Sequence, residues 1–451
     1  MCRALISKVS IRLRWLFLAR AMFGHKFERD VRLRLANLEA PVSIGMEMRC
    51  SPENNSIELF TGAGGLALGV ARAGFRHTAV IEWNSNACDS LRRNAVNVSE
   101  MAGWPVFEGD IREFDFAPHR GAARLLAAGA PCQPFSLGGK HQGDTDGRNM
   151  FPQVFRAVRD VAPEIVIVEN VKGLLRQSFR PYFDYIKRQI AAPELSCPRD
   201  SDWREHDARL ARKICAGKAG ELTYEVEHQL LNSADFGVPQ SRERVFIVAI
   251  RSDIGVHWTD MASTHSADAL LYAKWVDGSY WREHKLPPPS RPKHLGSKIE
   301  RIEGRGASLF ETRWQTVRDA LKGLPEPMDK REHRRIRNHV GNPGARSYPG
   351  HTGSPYDEPA KTMKAGDHGV PGGENTLRRE DGSVRYFTVR EAARLQCFPD
   401  EYEFAGAWSE GFRQLGNAVP VLLAESVVRH AVAIVDRVRQ HQPAKVSERV
   451  A

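Results

Sequence analysis

Three separated groups of residues in this 451-residue sequence carry reactive side chains in settings that would present them. The first is Cys132, in Gly129-Ala130-Pro131-Cys132-Gln133-Pro134-Phe135-Ser136. One thiol stands between two prolines with polar Gln133 beside it, so it is presented rather than packed. A free thiol titrates near pH ~8.5, and nearby positive charge would help convert it to the nucleophilic thiolate. The second is Glu169, in Val168-Glu169-Asn170-Val171, where a carboxylate ends an apolar β-branched run. Doubly wound folds place their ligands at that edge of the sheet. The third is Gln240-x-Arg242-x-Arg244, whose alternation would put all three side chains on one face of a strand. Taken singly, each has a plain structural reading: a buried loop cysteine, a capping acid, a surface salt-bridge ladder.

A fourth motif points to a cofactor. Phe60-Thr61-Gly62-Ala63-Gly64-Gly65-Leu66 joins a strand to a helix. Gly62, Gly64 and Ala67 fit G-x-G-x-x-A, and Glu82 follows about twenty residues later, the place of a ribose-binding acid. That logic suits any adenosine-containing cofactor, a nicotinamide dinucleotide included.

In their order along the chain these motifs resemble those of the DNA cytosine-5 methyltransferases. Residues 58–65 resemble the family's first motif, with Glu58 where Asp is commoner. The resemblance implies S-adenosylmethionine as cofactor, held by Phe60, Gly62, Gly64, Gly65, the ribose acid Glu82, the adenine-stacking Trp83, Asp110, Ile111 and Asn417. It implies Cys132 as nucleophile, Glu169 as partner of the cytosine N3, and Arg244, with Arg242, near the base O2. The chemistry asks for this set. Cytosine C5 cannot attack a methyl donor unaided, but a thiolate added at C6 makes C5 enamine-like. Residues 133–151 resemble the loop that closes over a flipped base, with glycines 138, 139, 143 and 147 as hinges and Lys140 and Arg148 for phosphates. Residues 388–399 and Gln414-Leu415-Gly416-Asn417-Ala418-Val419-Pro420 resemble the last two motifs; 359–363 and 368–373 look like a block of one bacterial branch.

Regular elements must position these side chains. Strands are expected at 56–60, 77–82, 164–168 and 244–250, a strand end at 109–111, and helices at 66–73 and 86–97. Strands alternating with helices predict an α/β, parallel, doubly wound, Rossmann-like methyltransferase domain with a smaller target-recognition domain. The expected division is a basic leader at 1–53, a catalytic domain at 54–325 with insertions near 193–221 and 263–311, and a recognition domain at 326–404. A return to the catalytic domain follows at 405–438, ending in an amphipathic helix from 419, then a tail at 439–451.

Composition agrees with a polyanionic partner, since the formal net charge is +10. Seven scattered cysteines without CxxC spacing argue against a disulfide framework and against a metal site. No apolar run approaches transmembrane length, so no membrane is expected. The Arg-rich leader has the look of a transit peptide or surface helix, but is read as dispensable, with Met46 or Met48 the working start. The expectation is a monomeric, cytoplasmic, nucleoid-associated bacterial enzyme acting on a specific double-stranded DNA sequence, with a cognate restriction endonuclease working separately. A tRNA cytosine-5 methyltransferase is an alternative. A NAD-dependent oxidoreductase would explain Gly62 and Glu82 but leave Cys132, Glu169 and the arginines without a role. An inactive DNA-binding module is disfavoured by the intact Cys132 and Glu169.

Overall fold

Runs of β-branched and small apolar residues build the main sheet: β1 (Asn55–Leu59), β2 (Arg76–Glu82), β3 (Val106–Glu108), β4 (Leu125–Gly129), β5 (Ile165–Val171), β6 (Tyr224–Asn232) and β7 (Glu243–Arg251). The structure, a computed structural model, describes residues 54–131, 149–198, 201–305, 312–349, 352–365 and 373–441. Cys132, loop residues 133–148, the leader at 1–53, positions 368–372 and most of the tail lie outside the described residues.

Strand order is β3-β2-β1-β4-β5-β7-β6. The chain winds outward from β1 on one side and from β4 on the other, so β1 and β4 flank the switch point where such sheets bind ligands. β1 to β5 pair in parallel, but β7 is antiparallel to both β5 and β6. The expected parallel sheet is therefore corrected to a mixed one. The short connection from β6 to β7 is the reason, since a parallel return needs a crossover of a dozen or more residues. Gly237, at φ 83°, turns this connection, and the amide of Ser233 donates to the carbonyl of Arg242.

Helices cover both faces. On one lie α1 (Gly65–Arg72) and, far along the chain, the last helix; α2 (Ser85–Asn97) packs beside β2 and β3. The other face carries α3 (Phe151–Val161), α4 (Arg180–Ala191) and α5 (Trp203–Cys215). The Asn84 side chain caps α2, accepting from the amide of Ala87, and Asp202 caps α5 in the same way. The insertion expected near 193–221 thus contributes α5, whose Trp203, His206 and Leu210 pack on α4.

Shorter elements follow: β8 (His265–Ser266), α6 (Ala267–Trp275), α7 (Ser279–His284), α8 (Gly296–Arg305), β9 (Thr312–Arg313), α9 (Val317–Leu321), β10 (Ser354–Pro355), β11 (Thr376–Arg378) and β12 (Val384–Tyr386). The chain then returns through α10 (Val389–Leu395), α11 (Trp408–Asn417) and α12 (Val421–His441). A capping box between Thr388 and Glu391 starts α10. Phe387, Phe398, Tyr402 and Phe412 join Leu68, Val80 and Leu91 in one apolar cluster, so the return is built into the core.

α12 lies on α1. A Cβ at Gly69 would sit 2.4 Å from the Cβ of Ala424, so only glycine permits this approach. The stretch Trp408–Gln440 is long and apolar enough to cross a membrane by length and composition, contrary to the expectation that no run is. Its Val427, Val428, Ala431 and Val435 are fully buried in the protein, which is where its apolarity is used.

Candidate functional site

The C-terminal ends of β1, β2, β4 and β5 open into one cavity of about 430 Å³. Glu82 and Asp110 stand toward one end, Glu169 toward the other.

At one end the β1–α1 loop folds back on β2. Phe60 and Gly62 both take φ near +55°, and this turn aims the amide of Gly62 at Glu82. Glu82 Oε2 accepts from Gly62 at 2.7 Å, while Oε1 accepts from the amides of Trp83 at 3.0 Å and Asn84 at 2.8 Å. Burial raises the Glu82 pKa, and these three amides pull against that rise. They occupy about three of the roughly four acceptor directions of a carboxylate, which leaves room for about one ligand hydroxyl. Trp83 stands at the cavity rim 78% exposed, an unusual position for an indole. Asp110 and Ile111 line the same end. Arg112 grips the Asp110 carboxylate through Nε at 2.9 Å and holds its pKa below the usual value.

Gly65 and Asn417 also line the cavity. A Cβ on Gly65 would lie 2.2 Å from the carbonyl oxygen of Val419, so the last motif presses directly on the first helix. Gly64 takes a different place from the one expected. It is absent from the lining; at φ 79° it forms the N-cap of α1, with Leu91 and Trp104 against its open side.

At the other end stands Glu169, 6% exposed. Across the ladder it pairs with Gly129, three residues before Cys132. Ala130 and Pro131 line the cavity, and the Asn170 side chain donates to the carbonyl of Ala130 at 3.2 Å, tying the two strand ends together. Arg244 reaches Glu169 through Nε at 2.8 Å and shares the lining. Burial raises the Glu169 pKa; the charges of Arg244 and Arg242 oppose the rise.

Gln240, Arg242 and Arg244 are expected on one face of a strand, but only Arg244 lies within β7. β7 begins at Glu243, and the residues before it are drawn inward by a bridge from Gln240 to Ala360. Gln240 and Arg242 are fully buried and do not line the cavity. Arg242 donates to the carbonyls of Met363 at 2.9 Å and Gly416 at 2.5 Å.

Sequence reasoning passed over Glu58 except as a departure from a motif. The side chain is fully buried and lines the cavity, and neither carboxylate oxygen meets a hydrogen-bond partner. Burial raises its pKa well above the usual 4.5. Arg413, just before the last motif, and Gln414, its first residue, line the cavity as well, and the charge of Arg413 acts on Glu82. Among the described residues, one trio brings ligand-type atoms within 4.8 Å: Glu283, His284 and Asp319. Arg313 bonds both carboxylates there and supplies the positive charge.

The family model for C-5 cytosine-specific DNA methylase matches residues 54–192 and 203–433. The type II methyltransferase M.Eco47II of Escherichia coli is 31% identical over 392 residues, covering 85% of this chain and 80% of that protein. The type II methyltransferase M.NgoMIV of Neisseria gonorrhoeae is 30% identical over 384 residues, covering 84% and 96%. M.AquIA of Picosynechococcus is 37% identical over 286 residues, covering 60% and 98%. This chain belongs to the C-5 cytosine-specific DNA methylase family.

Proposed function

We propose that this enzyme moves a methyl group from S-adenosylmethionine to C5 of a cytosine flipped out of a specific double-stranded DNA sequence. The observation that carries the reading is a single cavity with a Glu82 pole for ribose and a Glu169–Arg244 pole for a base. The residues present fit the cofactor. Trp83 offers an exposed face for adenine, Glu82 accepts from a ribose hydroxyl, and the buried, partnerless carboxyl of Glu58 lies in the same cavity. When bound, the cofactor supplies an electrophilic methyl group.

The protein's part is to make C5 a nucleophile. The Cys132 thiolate attacks C6 and forms a C–S bond, while Glu169 holds or delivers a proton at N3 so that the ring accepts the electron pair. Arg244 stands close enough to Glu169 to orient that carboxyl and meet the base O2. After transfer, loss of the C5 proton and elimination of the thiolate restore the aromatic ring. A base inside a duplex cannot enter a strand-edge cavity, so it must leave the stack.

Sequence choice falls to residues 325–387, which lie between motifs of the shared chemistry. Arg331, Arg334, Arg335 and Arg337 crowd this stretch and suit phosphate and base contacts. Transplanting the equivalent segment of a relative of different specificity should transfer the methylated site. Activity on the original site would move recognition to 263–311. The relatives' names, type II methyltransferases, support a restriction–modification setting; the reading that goes with it is a cytoplasmic monomer with a separate endonuclease. Bisulfite sequencing of DNA from expressing cells tests the reading: one protected cytosine in one recurrent sequence is expected, and full conversion everywhere would overturn it.

A further inference from the structure

Resting on that function, we infer that Arg242 is a positioning residue: it ties the recognition segment to the cofactor wall of the cavity.

Three stretches of chain meet at this side chain. The first is the approach to β7. The second is 360–365, within the proposed recognition segment. It is stitched to the approach by three bonds: Ala360 amide to Pro239 carbonyl at 2.9 Å, Ser241 amide to Ala360 carbonyl at 2.8 Å, and Thr362 hydroxyl to Ser241 carbonyl at 2.8 Å. The third is the end of α11, where Gly416 and Asn417 line the cavity. Arg242 closes the set by donating to Met363 and Gly416 together. Gly416 fits because a Cβ there would lie 2.2 Å from the amide nitrogen of Ala365.

Burying a guanidinium is costly unless its donors meet acceptors. Two carbonyls from segments 53 positions apart, Met363 and Gly416, meet them here. A planar fork bonds both in a fixed geometry; a lysine ammonium, a compact charge on a flexible stem, does not reproduce that geometry. The same charge also acts on Glu169 through space, while Arg242 itself does not line the cavity.

The test compares wild type with Arg242→Met and Arg242→Lys. Hydrogen exchange of the ligand-free proteins should show faster exchange at 362–365 and 414–419 in Arg242→Met, with β1, β4 and β5 unchanged; uniform acceleration would mark a merely structural role and overturn the inference. S-adenosylhomocysteine should bind roughly tenfold more weakly, the loss expected for about one charged hydrogen bond. The defect should fall on the cofactor KM more than on kcat, with Arg242→Lys intermediate. A fall in kcat with exchange and cofactor affinity unchanged would mean that Arg242 acts on the base, and would overturn the inference. Where Arg242→Met fails to fold, Arg242→Lys decides, and wild-type values in both assays count against the tie. If wild type neither binds S-adenosylhomocysteine nor methylates DNA, the functional reading falls while the exchange comparison still tests the tie.

Discussion

Glu82 and Glu169 end parallel strands of one sheet and are equally hidden, at 6% exposure each. They are satisfied in opposite ways. Glu82 is held by three backbone amides, which no side-chain rotation can remove. Glu169 is held by a side chain, Arg244, that can swing to a new partner. A carboxylate on backbone donors is a fixed feature of the fold and suits a cofactor bound in every turnover. One held by a movable ion pair can release its partner and share a proton when a substrate arrives. Mutations should therefore separate the two poles.

The largest effect should come from Glu169→Gln. It keeps the shape but removes the ionisable proton partner, and kcat should fall by roughly 10²–10⁴-fold, the usual worth of general acid–base catalysis. Cofactor affinity, read by titration calorimetry, should stay near wild type. Equal losses in both would break the separation.

Glu82→Ala should do the reverse. It strands three amides and removes the ribose acceptor, so S-adenosylmethionine should bind roughly 10- to 100-fold more weakly, at about 1.5–3 kcal/mol per charged hydrogen bond. At saturating cofactor, kcat should recover most of its value. NAD should not bind wild type at all.

The third carboxyl sharpens the picture through pH. Burial raises the Glu58 pKa above the usual 4.5, so the folded protein keeps a proton that the unfolded chain gives up. The stability tied to that proton is full below pH 4.5 and is lost as pH rises through the folded-state pKa. Glu58→Gln removes this dependence. Its Tm, relative to wild type, should climb as pH is raised from about 4.5 toward neutrality. A constant difference across that range would show that Glu58 is charged in the fold.

Gly69→Ala should have the smallest catalytic effect. Overpacking against Ala424 should cost about 1–3 kcal/mol and lower Tm, while kcat and both affinities hold.

Much of this was legible in the sequence because the site is carried by short motifs at strand ends. The glycine loop, Glu82 and Glu169 stand where the strand-and-helix rhythm puts them. What escaped was set by long-range packing. The reversal of β7 follows from its pairing with β6, and β6 begins by alternating apolar Tyr224 and Val226 with Glu225 and Glu227, so it carries no buried-strand signature. The inward turn of Arg242 depends on carbonyls of Met363 and Gly416, far away in sequence. The φ of 79° at Gly64 and a close backbone approach to a ligand select the same residue, so sequence does not separate the two.

The proposed nucleophile is Cys132, which follows the cavity-lining Ala130 and Pro131 in sequence. Duplex DNA carrying 5-fluorocytosine at the target should trap the enzyme with S-adenosylmethionine, because fluorine at C5 cannot leave as the proton does. Wild type should give a complex that survives denaturant, and Cys132→Ser should give none; a denaturant-stable adduct formed by Cys132→Ser would contradict the assignment of the nucleophile.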